Sequence, residues 1–142
     1  MISKIFFDTN VIIDAITSRD NDYADSQKLI IKVAKNEIEG MICAKQITDI
    51  YYILRKYVSS EFERRNIIKY VCSTFKILPL LPADIKFCIN SNLTDFEDAI
   101  INEVAKVNCA NYLVTHDSKH FKNSNLFILT PNELLTLIET ND

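Results

Sequence analysis

The stretch KIFFDTNVIID, residues 4–14, decides how this chain is read. An apolar strand-like run, Ile5, Phe6 and Phe7, delivers the chain directly into Asp8, and the apolar pattern resumes at Val11. A carboxylate held between IFF and VII is poorly placed for solvation, and a buried carboxylate needs a partner or a cation. In sheets built from such buried strands, ligands bind outside the carboxyl ends of the strands. Asp8 stands at such an end.

Four further runs read as strands: Gly40 to Cys43, Lys76 to Leu80, Tyr112 to Thr115 and Leu126 to Leu129, with the first running from Ser3 to Phe7. Helical patterns lie between them. YADSQKLIIKVAKNEIE, 23–39, gathers Ala24, Leu29, Ile30, Val33 and Ala34 near one face, and TDIYYILRKYV, 48–58, does the same with Ile50, Ile53, Leu54 and Tyr57. Ser60 with Glu63, Thr94 with Glu97 and Thr130 with Glu133 each fit the capping box, and Pro131 adds a proline at the first helical position. Strands separated by helices imply right-handed crossovers, hence an α/β fold with a central, mainly parallel sheet sandwiched by helices.

At 142 residues and 48% hydrophobic, the chain is expected to form a single domain over 1–142. The single glycine, Gly40, excludes a glycine-rich phosphate loop. No segment stays uncharged for the ~18 residues a membrane span needs, and the N-terminus lacks an export signal, so a cytoplasmic protein is expected. Cys43, Cys72, Cys88 and Cys109 form no CxxC pair and sit among apolar neighbours, which reads as four buried free thiols. A net charge of −3 argues against holding nucleic acid through a broadly basic surface. Local cations, RKY at 55–57 and ERR at 63–65, offer either a basic edge or solvated helix faces.

Asp117 follows the fourth strand as Asp8 follows the first, so both project from one sheet edge. Asp98 lies in the first turn of the helix opened by Thr94, with Asp95 three residues earlier on the same side, and Asp49 is read as opening its own helix. Caps and surface charges explain Asp49, Asp95 and Glu97 equally well. Two carboxylates at ~4 Å and an effective dielectric near 20 repel by about 4 kcal/mol, and a divalent cation reverses that sign. Oxygen donors without an organised Cys or His set suit Mg²⁺ or Mn²⁺, and the cation lets an acidic site receive a phosphodiester.

FFDTNVIID, TDIYYILRK, DFEDAIINEVA and LVTHDSKHF together resemble the acidic motifs of PIN-domain ribonucleases, above all the small VapC-toxin type, in order and spacing from Ser3 to about Leu137. The resemblance implies a Mg²⁺- or Mn²⁺-dependent endoribonuclease acting on RNA, a homodimer, and an antitoxin partner. It assigns Asp8, Asp49, Asp98 and Asp117 as catalytic metal ligands, with Asn10 and Thr115 as polar pocket residues; Asp95 is a supporting acid beside Asp98. It departs at His120, which precedes Phe121 where relatives carry an acid, so that either Asp117 completes the ligand set or three acids suffice. His116 corresponds to an arginine in relatives that could face phosphate. A zinc pair from His116 and His120 is disfavoured because the residues between them read as a loop. Asp14 is read as a helix-surface residue, and Tyr51-Tyr52 as half core and half surface. The alternative reading is a catalytically degenerate fold that binds RNA or a protein without cutting.

Overall fold

The computed structural model describes residues 2–20, 22–93 and 95–141. Strands β1 (Lys4–Phe7), β2 (Glu39–Cys43), β3 (Lys76–Leu78), β4 (Tyr112–Val114) and β5 (Phe127–Leu129) form one sheet in the order β3-β2-β1-β4-β5. All neighbours pair in parallel, with Phe6 opposite Met41 on one side and Leu113 on the other. The five expected strands are therefore present. Helices α1 (Thr9–Thr17), α2 (Tyr23–Ala34), α3 (Ala44–Leu54), α4 (Glu61–Thr74), α5 (Pro82–Cys88), α6 (Phe96–Val107) and α7 (Pro131–Thr140) complete the sandwich, with a 3₁₀ turn over Ser118–Phe121.

Side chains alternate across β1 and so found two cores. Ile5 and Phe7 pack with α1, α2, α3 and α7 through Ile12, Leu29, Ile50 and Leu134. Phe6 faces the opposite layer, where Ile100 and Val104 of α6 meet Leu113 and Phe121. With both faces covered, β1 has no need of polar side chains, which accounts for its unbroken apolar run. Gly40 allows a close approach on β2: a Cβ there would stand 2.8 Å from the Phe75 ring and 2.9 Å from Val33.

Several local expectations need correction. Helix α3 begins at Ala44, not at Thr48, because Gln46 at its third position accepts a hydrogen bond from Cys43 N at 2.7 Å and so secures an earlier start. Asp49 consequently lies in the second turn. Helix α2 stops at Ala34, well before Glu39, which is the first residue of β2. Thr94 lies outside the described residues; the cap of α6 is Asp95, whose Oδ2 accepts from Asp98 N at 3.1 Å. Thr130 and Glu133 do form the reciprocal box, at 3.2 and 3.0 Å, and Ser60 Oγ accepts from Glu63 N at 3.3 Å.

Two of the cysteines are not buried. Cys43 and Cys88 are, but Cys72 and Cys109 are exposed, because Cys72 sits one position around α4 from buried Val71 and Cys109 occupies the turn after α6 with φ 59°. Arg64 is tied to its own turn, its Nη1 donating to Val58 O at 2.7 Å and Ser59 O at 2.9 Å. Arg65 pairs with Glu61 at 3.3 Å. These local ties account for the two arginines as structural and solvated charges. Among the described residues no helix is long and apolar enough to cross a membrane.

Candidate active site

The sheet order reverses direction at β1: the chain moves outward to β2 and β3 on one side, then crosses to β4 and β5 on the other. Crevices outside the strand ends at such a switch point are where open α/β sheets bind ligands. Here the crevice is a cavity of about 620 Å³ whose lining includes Asp8, Asn10, Asp49, Asp95, Asp98 and Asp117. All four acids read from the sequence as ligands thus reach one cavity, with Asp95 and Asn10 beside them.

Asp8 does two things at once. It is the N-cap of α1, its Oδ1 accepting from Thr9 N at 2.8 Å, and its Oδ2 accepts from Thr115 Oγ1 at 2.7 Å. It is only 7% exposed. That burial raises its pKa against the lowering effect of the Thr115 and Thr9 hydrogen bonds, and the nearby Asp117 charge raises it further. Thr115 is the hinge of the arrangement, since its oxygen also accepts from Asp117 N at 3.0 Å. Asn10 Nδ2 donates to Asp117 Oδ2 at 3.2 Å, which fixes that carboxylate.

Asp98 is partly buried, and burial together with the charges of Asp8 and Asp95 pushes its pKa up to about 6. A carboxylate raised first by burial and then by its acidic neighbours sits where a positive charge would be favoured. His120 Nδ1 lies 3.7 Å from Asp98 Oδ2, so this residue, standing where an acid was looked for, faces the cavity. Asp49 is held by Lys45 Nζ at 2.8 Å, and the same ammonium reaches Glu97 at 3.4 Å.

The all-oxygen chemistry of Asp8, Asp98 and Asp117 fits a hard divalent cation such as Mg²⁺ or Mn²⁺, which takes few carboxylates and retains waters. Among the described residues, no three His, Cys, Asp or Glu side chains close into a preformed cage. The fit therefore rests on the donor chemistry and the raised Asp98 pKa.

Some residues escaped the sequence reading or were misread by it. Gln46 is fully buried, and its Nε2 donates to Phe7 O at 2.8 Å and to Thr9 Oγ1 at 3.2 Å, tying α3 to the end of β1. Its place three residues after the cap position was a usable signal. Asp14 is not a surface residue: it is 3% exposed, paired with Arg19 and with His116 Nε2 at 3.1 Å. His116 also meets Ser26 Oγ at 3.1 Å, so it is committed to this buried cluster and does not line the acidic cavity. The two histidines thus point to different carboxylates. Tyr51 is partly buried and bonds Glu61 at 3.1 Å, while Tyr52 is exposed at the cavity rim.

A profile described as the PIN domain matches residues 4–119, most of the chain and every residue placed in the cavity except His120. The chain belongs to the PIN-domain family. Among curated PIN relatives, Ribonuclease VapC1 of Aquifex aeolicus is 27% identical over 135 residues, covering 92% of each chain. Solved structures with the same fold include a toxin–antitoxin complex from Klebsiella pneumoniae, at TM-score 0.67 and 20% identity over 89% of this chain and 97% of that one. VapBC2 from Rickettsia felis, bound to a DNA fragment from its promoter, aligns at TM-score 0.64 and 21% identity over 89% and 98%. At those identities the structural likeness speaks for the PIN fold.

Proposed function

We propose that this PIN-domain protein is a divalent-metal-dependent endoribonuclease and the toxin of a toxin–antitoxin pair, with Asp8, Asp98 and Asp117 holding Mg²⁺ or Mn²⁺. The observation that carries the proposal is the convergence of these acids on one cavity, with the Asp98 pKa raised to about 6 beside Asp8. The likeness to Ribonuclease VapC1 supports RNA as the substrate, and the toxin–antitoxin complexes of the same fold support an antitoxin partner. A homodimer and a single folding unit over 1–142 belong to the same proposal.

A Mg²⁺ or Mn²⁺ held by Asp8, Asp98 and Asp117 would supply charge neutralisation and Lewis acidity toward a phosphodiester and an attacking water. The protein's own residues organise that site. Thr115 fixes the Asp8 carboxylate by its hydroxyl and accepts from the backbone N–H of Asp117, so one side chain ties the first acid to the backbone of the second. Asn10 aligns Asp117, and Gln46 holds Phe7 O immediately before Asp8. Asp49 lines the same cavity paired with Lys45, which sets an ammonium beside the acids where a phosphate would arrive. No side chain is required as a covalent nucleophile.

The test is cleavage of a structured RNA by purified protein in Mg²⁺ and in EDTA, alongside Asp8→Asn. Loss of cleavage in EDTA, and a loss of at least ~100-fold in the variant with the fold retained, are expected. Equal cleavage with and without metal defeats the mechanism. Lys45 at Asp49 and His120 near Asp98 favour one rival, a degenerate module that binds without cutting. Tight RNA binding with no turnover in Mg²⁺ or Mn²⁺ would establish it.

A further inference from the structure

A second cavity, of about 640 Å³, lies beside the acidic one, walled by α5 and the segment after it, α6, and the segment that precedes β5. The two are neighbours along α6. Asp98 faces the first and Asn102, four residues on and so on the same side of the helix, lines the second. His120 and Asn123 repeat the relationship on the segment after β4.

Glu103 is the unusual group in this second cavity. It is 8% exposed, yet among the described residues it accepts no hydrogen bond and joins no ion pair. The nearby Cys88 thiol does not serve it, because Cys88 Sγ donates to Ala99 O at 3.2 Å. Its carboxylate oxygens are not sealed from solvent and so open onto the cavity, where a ligand's donors would take the place of water. Around it stand Lys86 and Lys106, the latter with Nζ 5.8 Å from the Phe87 ring centroid, and Phe87 is 59% exposed. The side-chain amides of Asn90 and Asn125 line the same space without hydrogen bonds of their own among the described residues.

We infer that this cavity is a subsite for an unpaired guanine of the RNA, with the Glu103 carboxylate accepting from the N1–H and N2–H of the base. Guanine places two parallel donors on its pairing edge, matching both carboxylate oxygens in a charge-assisted bidentate contact. Adenine and cytosine each put a ring-nitrogen acceptor beside their amino group, and uracil flanks its one N–H with two carbonyls, so each sets a lone pair against the carboxylate. Asparagine amides can meet the O6 and N7 acceptors of the same base, and the Phe87 ring supplies an apolar wall for it. The two ammonium groups favour a phosphate-bearing ligand. They also argue against a divalent cation, for which one carboxylate is in any case a poor cage. The cavity volume lies within the range of small-ligand sites.

The subsite takes its role from the RNA-cleaving reading, so its test is made apart from cleavage. The full-length ¹⁵N-labelled protein is titrated in EDTA with GMP, AMP, CMP and UMP and followed by NMR. GMP should bind at least ~10-fold more tightly than AMP, in keeping with the discrimination of one bidentate base contact, and should shift amides of α6 and the segment after α5. Glu103→Gln should erase that preference while leaving the melting temperature close to that of wild type, since among the described residues no protein group is hydrogen-bonded or ion-paired to the carboxylate. If that variant fails to fold, the wild-type nucleotide series decides alone.

Equal binding of all four nucleotides, or shifts confined to the Asp8 and Asp98 cavity, overturns the subsite. So does a response at Glu103 to Ca²⁺ in EDTA-free buffer with none to GMP. Guanine-selective binding by a protein that cuts no RNA in Mg²⁺ would uphold the subsite and defeat the nuclease reading. RNA cleavage without GMP binding would do the reverse.

Discussion

Thr115 donates its hydroxyl to Asp8 Oδ2 at 2.7 Å although 107 residues of chain separate the two. The same oxygen accepts from Asp117 N at 3.0 Å, so one buried hydroxyl joins the ends of β1 and β4. Thr115→Val keeps the shape and removes both bonds, leaving Asp8 short of a donor and Asp117 N short of an acceptor. A loss of about 1–3 kcal/mol is expected by urea unfolding. Thr115→Ser should recover most of it, and a valine variant as stable as wild type would show that the bridge carries no energy.

The raised pKa of Asp98 makes a signed statement about pH. Its folded-state value of about 6 exceeds the ordinary value of 3.8, so the native protein holds a proton here that the unfolded chain releases. The associated stabilisation is full below about 3.8 and is lost as the pH rises through about 6. Metal-free wild type should therefore lose this contribution between pH 4 and 7 relative to Asp98→Asn, which has no carboxylate to titrate. Thermal melts of both proteins across that window check it. Parallel curves would mean Asp98 titrates as an ordinary helix-start acid.

Mg²⁺ should invert that comparison. In EDTA at pH 7, Asp98→Asn should melt above wild type, because one of the mutually repelling charges is gone. At about ten times its dissociation constant, the metal should stabilise wild type by about 1.4 kcal/mol. The variant should gain distinctly less, and an equal gain would remove Asp98 from the ligand set.

The Asp14 cluster predicts a larger effect away from the cavity acids. Asp14 is 3% exposed and is held by Arg19 and His116, so Asp14→Ala strands two donors in or near the interior. About 3 kcal/mol of stability should be lost, read from denaturant midpoints. A loss under about 0.5 kcal/mol, the range of ordinary surface substitutions, would place Asp14 back on the surface.

Gly40 offers a purely steric test. Gly40→Ala would press a methyl group to within 2.9 Å of both Phe75 and Val33, and overpacking of this kind costs about 1–3 kcal/mol. Combining it with Phe75→Leu, which makes room, should restore part of the loss in a thermal scan.

The central strands were legible because burial on both faces forces unbroken apolar runs, and IFF ending at Asp8 announced both the sheet and its functional edge. Asp8, Asp98 and Asp117 were legible because each sits next to an element end that sequence marks well. Asp14 was not, because α1 is buried from Val11 to Ala15 and its carboxylate is satisfied by His116, which lies 102 positions further along the chain. No local pattern reports a partner so distant. Asp49 was placed at a helix start because the cap that begins α3 is an amide, Gln46, acting on Cys43, a residue type that rarely advertises a helix. Glu103 passed unnoticed for the opposite reason, since an acid on an amphipathic helix looks solvated until the loops around it are in place.

The bridge from Asp8 to Thr115 has a consequence for the chain while it is being made. Strand β1 can pair with β2 once residue 43 has emerged, but its other edge stays open until β4 arrives at Tyr112–Val114. Until then Asp8 has neither Thr115 nor Asp117 beside it, and Asp98 has no opposing wall. Closing so long a loop comes late in folding. A nascent or prematurely terminated chain lacking β4 thus carries the first acid without the pocket, and the four acids share one cavity only once the chain has been read past residue 117.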